Sequence, residues 1–313
     1  MKWSQNSTSG ILGIIGDHGS GKTTLLHEIS HKNYKKTILV PSQRMCDVTS
    51  LHNWLRAELN IKEEDDIISS LLQIPSQIII IDKLHFFFLR NLKGYEGLYE
   101  ISKIMQHTSH RHCWIVGIHL HAWNFLHSQA IPFHTDVFHS VVKIGEVSIQ
   151  NCMLWSAKCA EKHNIKIDFS TIHSKYKTEY FWDQVQKSYW RLLIDSSIKN
   201  PSAVQQLWIR SLEYSEEQNT FFVHYFKTRR QSEVQSLHVT EQFILSTILI
   251  HGNMTAKEQS ETLNIDLATI VHYCNNLENS GILSRNNDTF FITYDWYPTI
   301  TLFLQQKRML VAS

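Results

Sequence analysis

Ile11-Leu12-Gly13-Ile14-Ile15 leads directly into Gly16-Asp17-His18-Gly19-Ser20-Gly21-Lys22-Thr23. An apolar, β-branched run thus enters a complete G-x-x-x-x-G-K-[ST] loop. Glycines at both ends allow the backbone to curl until successive N–H groups point inward, and the curl finishes on a helix N-terminus, so the loop is a nest for phosphate groups. Thr23 to Ser30 continues as a helix with Leu25, Leu26 and Ile29 on one side. The expected ligand is a nucleoside triphosphate, ATP with Mg2+, cradled by Gly16, Asp17, His18, Gly19, Ser20, Gly21, Lys22, Thr23 and Thr24. Lys22 is expected to reach the β and γ phosphates, and the Thr23 hydroxyl to hold the magnesium ion.

Such a loop needs a carboxylate at the end of a neighbouring strand to orient the metal through its water shell. Ile78-Ile79-Ile80-Ile81-Asp82 supplies it, making Asp82 the Walker B residue and, with Lys22, the expected catalytic pair. Lys83 follows, where a water-polarising glutamate would favour turnover, so hydrolysis is expected to be slow. Asp17 is the nearest other acid and reads as a structural loop residue. No arginine lies between Gly117 and Ser140, which leaves Arg90 and Arg111 as the nearest candidates for stabilising transition-state charge. His119 is a candidate polar sensor of the γ-phosphate.

Working outward, the first half alternates β-branched runs with helical patterns, which predicts an α/β fold: a three-layer α/β/α parallel sheet. Five strands are expected, at Ile11–Ile15, Thr37–Val40, Gln77–Ile81, Cys113–Gly117 and Val141–Ile144, each apolar on both faces. The acidic run Glu63-Glu64-Asp65-Asp66 reads as solvated. From Ser148 to Leu212 the spacing turns helical, and Phe221 to Phe226 reads as an isolated strand. From Thr240 the order is helix (Glu241–His251), helix (Thr255–Asn264), helix (Asp266–Asn279) and a strand pair near Ile282–Leu283 and Phe290–Thr293. That succession is a winged helix, with Asp266 capping its third helix and Gly281 ending it. The expected division is a P-loop core over 1–147, a helical lid over 148–215 and a winged-helix domain over 216–313.

With 313 residues and 42% hydrophobic content the chain has room for two or three cored domains. A formal charge of +1 provides no overall attraction to nucleic acid or an anionic membrane. The five cysteines are scattered and never spaced C-x-x-C, which suits a reducing compartment, so a cytoplasmic protein is expected. Met1 to Gly10 lacks the apolar core of a signal peptide, and no apolar run approaches the ~20 residues needed to span a bilayer. His107, His110, His112, His119 and His121 invite a zinc reading, but two H-x-H pairs at opposite ends of a buried strand do not converge.

Taken together, the P-loop, the Ile-rich strand ending in Asp82, the strand Cys113–Gly117, the helical region and the terminal winged helix resemble the AAA+ and STAND ATPases. The shape is similar to that of origin-recognition and transposition-regulator ATPases, whose lid turns look like Lys199-Asn200-Pro201-Ser202-Ala203. The resemblance implies nucleotide-dependent self-association and a lid that senses nucleotide, for which Lys199 and Arg210 are the available cations. From Thr240 onward there are four basic and seven acidic residues, and the third helix of the winged helix has no lysine or arginine. His272, Asn275 and Asn276 therefore lack the phosphate anchors that DNA binding needs, although Arg285 and Lys227-Thr228-Arg229-Arg230 offer isolated contacts. The expected function is an ATP-binding switch controlling self-association or a protein partner. The alternative is a DNA-transaction ATPase assembling on duplex DNA.

Overall fold

The structure, a computed structural model, describes residues 9–31, 36–128, 137–172 and 179–311. Residues 1–8 of the polar start, and 129–136 of the arginine-free stretch, lie outside them. The described residues fall into two compact units, one of residues 9–144, 238–292 and 304–311, the other of 145–237 and 293–303.

The first unit begins with β1 (Gly10–Gly16), α1 (Lys22–His31), β2 (Lys36–Leu39), α2 (Val48–Leu59), α3 (Ile67–Gln73) and β3 (Ile78–Ile81). A 3-10 turn over Leu84–Phe87 follows, then α4 (Glu96–Thr108), β4 (Cys113–His119), α5 (Leu120–Ser128) and β5 (Ser140–Lys143). The strands form one parallel sheet in the order β2-β3-β4-β1-β5, with helices as its outer layers. β4 is thus inserted between the P-loop strand and the strand that ends at Asp82.

Every residue of β1 and β4 is buried, as befits the central strands of a covered parallel sheet. Ile79, Ile80 and Ile81 are fully buried, and each such side chain contributes about 1.5–3 kcal/mol. The outermost strands differ from the all-apolar expectation. β5 alternates between half-buried and exposed residues, with Val141 42% exposed, because an edge strand is covered less completely than a central one. Leu26 of α1 packs with Leu12, Ile14, Ile80, Cys113 and Ile115, and Leu25 and Ile29 flank that cluster, so the helix face anticipated from their spacing is the one the sheet covers.

The second unit contains α6 (Ile149–His163), β6 (Lys166–Asp168), α7 (Glu179–Ser196), α8 (Pro201–Arg210), β7 (Leu212–Ser215), β8 (Thr220–Val223) and α9 (Gln231–Gln235). Its helices pack around Trp190, Trp208, Tyr189 and Leu193, with the two indole rings 4.4 Å apart and the Tyr189 hydroxyl donating to Ser211 Oγ at 2.6 Å. The strand near Phe221 is not isolated, and 148–212 is not wholly helical. β8 lies between β7, antiparallel, and β6, parallel, in a small sheet. Three- and four-residue strands are too short to print an alternation on the sequence, and only pairing at long range defines them.

The chain then returns to the first unit with α10 (Val239–His251), β9 (Met254–Thr255), α11 (Ala256–Leu263), α12 (Leu267–Asn279), β10 (Leu283–Asn286) and β11 (Thr289–Ile292), followed by α13 (Tyr297–Gln306), whose residues up to Phe303 are counted with the second unit. β11 pairs antiparallel with β10 and β9 in a small three-stranded sheet, and α10, α11 and α12 precede β10 and β11 in the chain. Asp266 caps α12 by accepting from Thr269 N at 2.9 Å, and Gly281 takes a left-handed φ of 73° just beyond the helix. Among the described residues no helix is long and apolar enough to cross a membrane.

Candidate functional site

The loop between β1 and α1 has the backbone that its glycines allow, with φ of 73° at Gly19 and 91° at Gly21. Ser20 N donates to Asp17 O at 3.1 Å and Leu25 N to Gly21 O at 2.9 Å. The second of these is the first i to i−4 bond of α1, so the N–H groups of Lys22, Thr23 and Thr24 are first-turn donors without an intrahelical acceptor. Together with the helix dipole they present partial positive charge to the loop.

Lys22 is 8% exposed and its ammonium donates to Gly16 O at 2.9 Å and Asp17 O at 2.7 Å. Burial lowers its pKa to about 8, against the opposing pull of Asp17 and Asp82. The lysine is thus folded back on the loop's own carbonyls, which are weak substitutes for an anion. Ser20 Oγ is buried and makes no hydrogen bond among the described residues. These are the features a phosphate tail would satisfy.

Asp82 is 3% exposed at the carboxyl end of β3, two strands from the loop. Thr23 Oγ1 donates to its Oδ2 at 2.7 Å, and Lys83 N to its Oδ1 at 2.9 Å. The carboxylate occupies space left by Gly117 on the intervening β4, where an added Cβ would stand 2.8 Å from Asp82 Oδ1 and 3.0 Å from Leu26 Cδ1. A hydroxyl and a carboxylate in contact beside a lysine are a donor set suited to Mg2+, a hard cation that prefers oxygen. Lys83 has a left-handed φ of 61°, and its ammonium lies 5.2 Å from the Phe86 ring centroid. Asp17 accepts from His18 N at 2.9 Å and faces His121 Nε2 at 3.7 Å, so its carboxylate is engaged within the loop's surroundings.

His119 is the last residue of β4 and pairs in register with Gly16, at the root of the loop. It is 3% exposed, and its pKa lies well below the usual imidazole range because of burial, reinforced by Lys22 and by neighbouring imidazoles. Arg111 stands at the opposite end of β4, where its Nε donates to Ile74 O at 2.8 Å. Arg90 acts on His251 and Tyr95. In the second unit Lys199 pairs with Glu146 at 2.6 Å, while Arg210 and Arg229 share Asp295. Of the other histidines, His112 hydrogen-bonds Leu71 O at 2.7 Å and His107 Lys103 O at 2.8 Å. Among the described residues no three His, Cys, Asp or Glu side chains form a metal centre.

Arg44 is a residue whose importance the sequence does not announce. Only 4% exposed, it donates to Glu258 Oε1 at 3.0 Å and to the carbonyls of His85 at 3.0 Å, Phe88 at 3.5 Å, His251 at 3.2 Å and Asn253 at 3.0 Å. It therefore ties the loop after β2 both to the 3-10 turn after Asp82 and to α10 and α11. Phe88 and His251 rings, 4.8 Å apart, pack in the same place. A single arginine flanked by Gln43 and Met45 carries no motif, so no signal in the sequence points to it.

No protein-family model and no curated protein sequence matches the chain. Solved structures do resemble it. They include the Aeropyrum pernix ORC2 protein, determined as ADPNP and ADP complexes, at 11% identity over 96% of this chain and 89% of that one, with a TM-score of 0.48. Cdc6p from Pyrobaculum aerophilum is similar at 13% identity over 95% and 88%, with a TM-score of 0.39. The Thermotoga maritima RuvB Holliday junction branch migration motor is similar at 14% identity over 95% and 89%, with a TM-score of 0.36. The chemistry of the site rests on this chain's own residues.

Proposed function

We propose that this chain, a P-loop protein of AAA+ and STAND architecture, is a cytoplasmic ATP-binding switch that governs self-association or engagement of a partner protein. The observation that supports this most is the meeting of Lys22 and Thr23, at the start of α1, with Asp82, at the end of β3, across the inserted β4. In this reading Gly16 to Thr24 cradle the phosphates with backbone N–H groups, Lys22 leaves the Gly16 and Asp17 carbonyls for the phosphate tail, and Thr23 and Asp82 hold magnesium. Bound Mg-ATP supplies a transferable γ-phosphoryl group and a cation that neutralises charge on it.

Lys22 and Asp82 carry such catalysis as the chain performs. Turnover is slow, because Lys83 provides no carboxylate and its side chain lies over Phe86. The division into a core over 1–147, a lid over 148–215 and a winged helix over 216–313 is part of the proposal. Nucleotide binding changes how these parts associate, and the C-terminal part, acidic and without a basic face on α12, meets protein rather than duplex DNA.

Phosphate release by wild type and by Lys22→Ala tests the enzyme part. Equal rates would leave no role for the loop in turnover. Size-exclusion chromatography with and without a non-hydrolysable ATP analogue tests the switch, which predicts a nucleotide-dependent change in elution. ATP-dependent, salt-sensitive retardation of duplex DNA would instead establish the DNA-transaction reading.

A further inference from the structure

His119 stands at the centre of a group of imidazoles around the root of the phosphate-binding loop. Its ring centroid is 5.4 Å from that of His85, 5.9 Å from His18 and 6.0 Å from His121. His119, His85 and His121 are 3%, 7% and 4% exposed. Among the described residues neither ring nitrogen of His119 or His121, nor Nδ1 of His85, makes a hydrogen bond. Buried polar atoms are nearly always paired, so several orphaned nitrogens in one place call for a ligand or a function.

Charged groups reach this cluster from every side. Lys22 approaches from α1, Asp17 from the loop, Arg44 from the segment after β2, Lys83 from the turn after Asp82 and His251 from α10, with Asp82 acting on Lys22. Burial is the largest influence on all four rings and favours the neutral form. The cations act in the same direction on His18, His85 and His119, whereas Asp17 opposes them at His18 and His121. The free protein therefore holds a group of neutral rings beside a site that attracts anions. A phosphate tail in the loop reverses the sign of the field around Lys22. One negative charge about 6 Å from a ring, at an effective dielectric constant near 20, favours the imidazolium on the order of a hundredfold.

We propose that these four imidazoles are the proton-accepting part of the nucleotide site: as a triphosphate tail binds, one ring, His119 foremost, takes a proton from solvent and becomes the cation facing the tail. The proposal rests on the nucleotide-binding reading above. It supplies from within the chain a positive charge that Arg111, at the opposite end of β4, is not placed to give. The step is a protonation alone, in which a ring nitrogen gains a proton from water or buffer and no other bond changes.

Isothermal titration of the full chain with ATP and excess magnesium at pH 7, in PIPES and in imidazole buffers of different protonation enthalpy, tests it. At that pH Lys22 is already largely protonated, so uptake reports the imidazoles. The expected result is a buffer-dependent heat that corresponds to net proton uptake on binding. His119→Gln should bind more weakly, with the uptake lost. Equal heats in the two buffers for wild type, or uptake undiminished in His119→Gln, would overturn the proposal while leaving nucleotide binding intact. Absence of any binding heat would overturn the nucleotide reading itself.

Discussion

The Thr23 hydroxyl donates to Asp82 Oδ2 at 2.7 Å across 59 residues of sequence, and the side chain missing from Gly117 leaves the carboxylate its place. Asp82→Asn preserves the shape of this contact but removes the negative charge that the carboxylate offers a divalent cation. We expect nucleotide affinity to be largely kept and magnesium-dependent phosphate release to be abolished. Unchanged release would mean that the metal is held elsewhere.

Gly117→Ala tests the same relationship from the other side. The new methyl would press on both Asp82 Oδ1 and Leu26 Cδ1, and overpacking of this kind costs about 1–3 kcal/mol. Thermal unfolding should register that loss. Magnesium-dependent turnover should fall at least about tenfold if the carboxylate is displaced by even part of an ångström. A variant as stable and as active as wild type would show that the space beside Asp82 is slack.

Lys22 gives the site a pH dependence of definite sign. Its folded pKa of about 8 lies below the ordinary lysine value, so between roughly pH 8 and 10.5 the unfolded chain binds more protons than the folded one. Raising pH through that window therefore relieves the cost of burying the ammonium, and stability gains from this group. Nucleotide affinity moves the other way, since a neutral amine cannot pair with phosphate, and it should weaken by up to about tenfold per pH unit above 8. Titrations of ATP at pH 7, 8 and 9 in the Lys22 wild type should slope downward. A flat profile would mean that the lysine does not touch the ligand.

Arg44→Ala removes one buried cation and leaves Glu258 and four backbone carbonyls without their donor. Truncating one side of such a network typically costs about 3–5 kcal/mol. Arg44→Lys should recover little, because a point charge cannot serve acceptors fanned around a planar guanidinium. Chemical denaturation would measure both, and a loss below about 1 kcal/mol for Arg44→Ala would show that the network is dispensable.

In the second unit Asn200, 2% exposed, caps α8 by accepting from Ala203 N at 3.1 Å, with Pro201 occupying the first turn. Asn200→Ala should cost about 1 kcal/mol through the lost cap, and Asn200→Asp should retain most of it. Equal stability of all three proteins by thermal denaturation would remove the cap from the account.

Much of the fold could be read in advance where the signal is local. The P-loop residues are consecutive, Ile78 to Ile81 is a continuous apolar run that ends in an acid, and Asp266 and Gly281 are cap residues standing beside the helix they delimit. Errors came where structure depends on distant pairing. β6 and β7 are too short to show a period, and the apolar run Val141–Ile144 reads as buried on both faces although β5 forms an edge.

The sequence by itself determined that a glycine-bounded loop follows a buried strand, that Lys22 and Thr23 open a helix, and that an acid ends a second strand. Each is a property of neighbouring residues and of their backbone preferences. Tertiary structure alone decided that β4 separates those strands, that Gly117 makes room for Asp82, that Arg44 gathers carbonyls from both the sheet region and α10, and that histidines from three segments meet around His119. Sheet order and burial are set by contacts among residues far apart in the chain, and no local pattern records which partners those will be.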